Sequence, residues 1–133
     1  MSRLHLIGLA LLWGPALAFG CGACIEDKVA ATYDHALIEG AIASDRQVVF
    51  VAIEGPVDSA RVAGQIVARA PKVKGVQPRS VRTSSSPPAF SFVLDRGQDP
   101  RAAIASFRTG IDQHDARLVA IKLVRDGQLR DPD

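Results

Sequence analysis

Apolar and polar positions along the chain fall into blocks whose period changes. From Ile25 to about Ala43, a step of about 100° per residue sets Ile25, Val29, Tyr33, Ala36, Leu37 and Ala43 on one broad side with Thr32, and Asp27, Lys28, Asp34 and His35 on the other, which predicts an amphipathic helix. Ile38 and Ile42 join the polar side, so the second half of this helix is expected to be buried more fully than the first. Gln47 to Ile53 is a largely β-branched run of strand length, closed by Gly55-Pro56. Asp58 or Ser59 then caps a helix with Val62, Ile66, Val67 and Ala70 at helical spacing, Arg61, Gln65 and Arg69 turned outward, and Pro71 at its end.

Gly75 to Thr83 predicts a second strand; Pro78 inside it cannot donate to a ladder and so places it at an edge. Ser84-Ser85-Ser86-Pro87-Pro88 is short enough to turn between strands. Ala89 to Leu94 alternates Phe90, Phe92 and Leu94 against Ser91 and Val93. Asp99-Pro100 is an N-cap with proline at the first helical position, ahead of Ile104, Phe107 and Ile111 at core spacing. Arg117 to Val124 closes the series with Val119, Ile121 and Leu123 assigned to one face. The resulting order, βαββαβ over residues 47–133, is the ferredoxin-like arrangement, an α+β fold with two helices on one face of an antiparallel sheet. Residues 19–46 add a helix in front of it.

The start of the chain changes the picture by setting a compartment. Arg3, the apolar run Leu4 to Leu12 and the small-x-small site Ala16-Leu17-Ala18 read as a signal peptide over residues 1–18, so the protein is expected to be periplasmic or secreted. A second reading makes Cys21 the lipid-carrying first residue of a lipoprotein. No segment approaches the roughly 20 apolar residues a spanning helix needs. With 16 Lys and Arg against 14 Asp and Glu, and Arg3 leaving with the leader, the exported chain is close to neutral, which argues against a nucleic-acid partner. An exported or membrane-bound protein partner is the remaining expectation.

Between Val51 and Val76 the chain resembles a heavy-metal-associated domain of metallochaperones and copper-pumping ATPases. Gly55-Pro56-Val57-Asp58-Ser59-Ala60-Arg61 stands where that family has Gly-Met-x-Cys-x-x-Cys, and the helix through Val62 and Ile66 to Val73-Lys74-Gly75-Val76 is similar to its helix and following turn. Asp58 and Arg61 occupy the two metal-cysteine positions, and neither offers the thiolate a soft ion requires. The resemblance implies the ferredoxin-like scaffold, with metal binding to be supplied by other residues.

Those residues are the two cysteines, Cys21-Gly22-Ala23-Cys24, just ahead of the first helix. Two thiolates bind Cu(I) almost linearly or furnish half of a tetrahedral zinc shell, so Cys21 and Cys24 are the candidate metal ligands, with Cu(I) first and other soft ions after it. The helix start and Lys28 favour a reactive thiolate, which keeps a thiol redox partner open, and an exported CxxC can also close as a small structural disulfide. No strand precedes Cys21, as a thioredoxin-type enzyme would require. No Ser-His-Asp spacing, glycine-rich phosphate loop or paired carboxylates of defined separation is present, so a non-catalytic protein is expected. The alternative function is a ferredoxin-like interaction module that binds through its sheet or its Asp58–Arg61 region. Tyr33 is assigned to the core with its hydroxyl at the boundary. His35 is read as an exposed helix residue, and His114 could join a site only through tertiary contact. Lys72, Lys74, Arg79 and Arg82 are read as a solvated basic face, and Phe90, Phe92 and Phe107 as core.

Overall fold

The computed structural model describes residues 24–132, so the leader-like segment and Cys21 lie outside the described residues. Within them the order is α1 (Ile25–Thr32), α2 (His35–Ala43), β1 (Gln47–Glu54), α3 (Ser59–Arg69), β2 (Arg82–Ser85), β3 (Pro88–Leu94), α4 (Pro100–Arg108), β4 (Arg117–Arg125) and β5 (Gln128–Arg130). This is an α+β protein with a five-stranded antiparallel sheet in the order β2-β3-β1-β4-β5.

β1 lies at the centre of the sheet, and its alternation divides the interior. Val49, Val51 and Ile53 point to one face, where α3 and α4 bring Val62, Ile66, Ile104 and Phe107 against Phe90, Phe92 and Leu94 of β3. Val48, Phe50 and Ala52 point to the other, where Ile38 and Ala41 of α2 close over Val93, Ile121 and Val124, with Val29 of α1 packed alongside. The N-terminal helical segment therefore covers the face opposite α3 and α4, and the central strand β1 is buried on both sides.

Four local features differ from the sequence reading, each for a physical reason. The first helix breaks at Tyr33-Asp34, because the Asp34 carboxylate accepts the Leu37 N–H at 3.1 Å as the cap of a new helix and also takes the Arg82 guanidinium at 3.0 Å, 48 residues away. The break resets the helical phase: Ile38 and Ala41 become the buried residues of α2, while Ala36 and Ala43 are exposed and Tyr33 is 52% exposed instead of in the core. The second strand is shorter and later than expected. Pro78 to Ser80 forms a 3-10 turn, only Val76 bridges to Leu94, and the ladder to β3 begins at Arg82, still on an edge.

In β4 the register against β1 steps between Phe50 and Val51, whose partners are Lys122 and Ala120, so Ile121 is an extra residue. That bulge sends Ile121 to the α2 face and Leu123 to the α3/α4 face, and Val119 stands 39% exposed, so the three do not share one side. Finally, Asp126-Gly127, both at positive φ (54° and 73°), turn the chain into β5, an additional edge strand.

Candidate functional site

Cys24 caps the start of α1 from an extended backbone conformation, its carbonyl accepting the Lys28 N–H at 3.2 Å. Its side chain is half-buried, and Glu26 and Asp27 occupy the first turn, where negative charge complements the helix dipole. One turn on, the outer side of α1 opens onto the β4-β5 hairpin. Ile25, Val29 and Tyr33 face Lys122 and Leu129 across an open, largely apolar groove of about 390 Å³. Ile25 is 42% exposed and Leu129 57%, so with Tyr33 they form a patch of uncovered apolar surface beside the cysteine. Lys122 is held at its rim by the Asp131 carboxylate.

The other candidates are scattered. His35 opens α2 and faces Glu39 one turn along at 3.5 Å, both side chains well exposed. His114 lies in the exposed loop before β4, where its carbonyl accepts from Arg108. Among the described residues no group of three His, Cys, Asp or Glu side chains is arranged to hold a metal ion.

The Asp58–Arg61 stretch is engaged structurally. The Asp58 carboxylate accepts the Arg61 N–H at 3.2 Å as the cap of α3, and its own N–H donates to Gln113 at 2.9 Å. The Arg61 guanidinium pairs not with Asp58 but with Asp112. A hydrogen bond involving Gln65, followed by the Arg61 pairing, holds the Asp112 carboxyl below its ordinary range. Gly55, at φ 108°, lets this loop lie against the last one: a Cβ there would sit 2.1 Å from the Asp115 carbonyl oxygen. α3 and α1 pack on opposite faces, so the sheet separates this loop's helix from the helix that Cys24 begins.

The basic run also divides. Lys72, Lys74 and Arg79 are exposed, whereas Arg82 is half-buried and donates to Asp34 and to the Arg79 and Val81 carbonyls, tying the edge strand to the α1-α2 junction. The Leu37 backbone hydrogen bond and then the Arg82 pairing hold the Asp34 carboxyl below its ordinary range. Phe90, Phe92 and Phe107 are core, with ring centroids 5.0 to 5.9 Å apart. Buried Gln47 is satisfied, its amide donating to the Asp95 and Gln98 carbonyls and its oxygen accepting from Arg125. Sequence reasoning passed over Lys122 and Leu129 as site residues; the signal for them was Asp126-Gly127, a two-residue hairpin turn followed by an apolar position. Comparison with known proteins finds no family model, no curated protein and no solved structure that matches the chain.

Proposed function

We propose that the protein is an exported carrier of a soft metal ion, Cu(I) first, that uses Cys21 and Cys24 as a two-sulfur site at the front of the exported chain and passes its cargo to a protein partner. The observation that carries this reading is the apolar groove of Ile25, Tyr33 and Leu129, in which Ile25 directly follows Cys24: a partner seated there meets the start of α1. The ferredoxin-like scaffold is supported by the βαββαβ order of β1 to β4 and by their spatial order 2-3-1-4, to which β5 is appended. A degenerate heavy-metal-associated ancestry accords with that scaffold and with the use of Asp58 and Arg61 in capping and ion pairing. Export rests on the leader-like pattern of residues 1–18.

The test is metal analysis of reduced full-length exported protein titrated with Cu(I) against a chromogenic chelator. Stoichiometric copper retained by the parent and lost from Cys24→Ser supports the carrier; equal retention, or none in either, rejects it. A second reading uses the same groove without metal, as an interaction module whose cysteines form a structural disulfide or exchange disulfides with a partner. It predicts that Cys24→Ser leaves partner capture intact, or, for thiol exchange, that removing one cysteine traps a mixed disulfide.

A further inference from the structure

The groove along α1 has an occupant of the right size within the chain itself. Ile25, Tyr33 and Leu129 stand about half-exposed around it, and half-buried Val29 also lines it. Three such side chains fall well short of the roughly 800 Å² per partner that a stable dimer buries, so the patch suits one short apolar segment better than a second copy. Glu26 lines the same groove, exposed and in no ion pair among the described residues. Lys122, across from it, is engaged by Asp131.

Residues 19–23 lie outside the described residues and supply the segment. In the exported reading, cleavage after Ala18 makes Phe19 the first residue, followed by Gly20-Cys21-Gly22-Ala23, and Phe19 is the one large apolar side chain among them. The five steps from Phe19 to Cys24 span at most about 17 Å. That exceeds the length of α1, which at eight residues is about 12 Å. Cys24 enters α1 from an extended conformation (φ −63°, ψ 146°), and Gly20 and Gly22 accept the backbone angles of a reversal.

We propose that the new N-terminus folds back along α1, seats the Phe19 ring among Ile25, Tyr33 and Leu129, and turns its α-ammonium group toward Glu26. This inference rests on the exported, two-sulfur reading above and adds its regulation: the groove is covered at rest, and a partner gains it by displacing Phe19. Joining Cys21 to Cys24, through a shared ion or as a disulfide, fixes the chain back to Cys21, so only Gly20 and Phe19 remain to be ordered. The coupling is reciprocal, and displacement of Phe19 therefore weakens the hold of the two sulfurs on their ion.

The exported chain from Phe19 holds Tyr33 as its single tyrosine and has no tryptophan, so its emission reports the groove. The experiment is acrylamide quenching of Tyr33 in that chain with Cys21 and Cys24 joined as a disulfide. Phe19→Ser is expected to raise the quenching constant about twofold, as a covered ring becomes half-exposed. Phe19→Leu should restore protection, and Glu26→Gln should give an intermediate value. Reduction should raise quenching in the parent and leave Phe19→Ser as it was; a parent that does not respond overturns the coupling. Equal quenching of the parent and Phe19→Ser overturns the proposal, as does N-terminal sequencing that finds another first residue. So does protection that grows with protein concentration alongside a dimer in sedimentation, since a second copy would then fill the groove. The carrier reading is judged separately, by copper retention of the parent against Cys24→Ser.

Discussion

On the side of α3 and α4, β1 contributes Val49, Val51 and Ile53 to a cluster of 17 buried residues that includes three mutually packed phenylalanines. On the side of α1 and α2 it contributes Val48, Phe50 and Ala52 to a cluster of eight, and the helices above are short and separated by a break. The first face has enough interlocked apolar volume to set the global stability. The second is a thinner cover, fastened by one carboxylate-guanidinium tie and by the Ser91 hydroxyl donating to the Thr32 carbonyl at 2.9 Å. Function in the proposed reading gathers on the thinner face, where a helix carrying a cysteine leaves apolar side chains uncovered.

The sharpest way to test that division is to cut into each core. Phe107→Ala, at a fully buried site in contact with Phe90 and Phe92, should cost about 3–5 kcal/mol in urea denaturation and lower stability throughout the molecule. Ile38→Ala should cost about 2–3 kcal/mol, the lower end for such a truncation because its cluster is smaller. Its signature is local. Amide exchange should accelerate in α1 and α2 well before it does in α3 and α4, and equal acceleration on both faces would show that the two cores act as one.

Acid gives the next contrast. Both faces carry a carboxylate held below its ordinary range, Asp34 on one and Asp112 on the other. A lowered native pKa means the unfolded chain takes up protons first as pH falls. The contribution is therefore complete above the unfolded carboxylate pKa of about 3.9 and is lost as pH drops through the lowered native value. Asp34→Asn should flatten the acid dependence of exchange in α1 and α2, and Asp112→Asn should leave that dependence in place. The smallest effect on stability is expected from Tyr33→Ser, within about 0.5 kcal/mol because the ring is half exposed. If the groove is a docking site, that variant should still reduce partner capture while copper retention is unchanged.

Much of the stronger face was legible from the chain alone. The caps Asp58 and Asp99 accept from Arg61 and Arg101 N–H groups where their spacing predicts, and the central strand and the Phe90, Phe92, Leu94 stripe lie where alternation puts them. These signals are local: a cap, a proline at a helix start, a period of two. Val67 is the exception, 51% exposed although it sits at helical spacing with Val62 and Ile66, because it lies at the margin of the stripe. The weaker face was less legible because its decisive contacts are distant in the chain. Asp34 ends α1 and starts α2 in company with Arg82, and the extra residue in β4 is visible only against β1. Asp126-Gly127 is a local hairpin signal that a reading ending the series at Val124 does not use.

By itself the amino-acid order determined the kind and succession of the elements from β1 to β4, a helical segment in front of them and the presence of a cysteine pair ahead of that segment. Tertiary structure alone decided which face that helix covers, where it breaks and which residues of β4 turn to each side. The division follows from range: capping and periodicity act within a few residues, whereas burial on one face, bulge placement and strand closure depend on surfaces that meet only when the chain has folded.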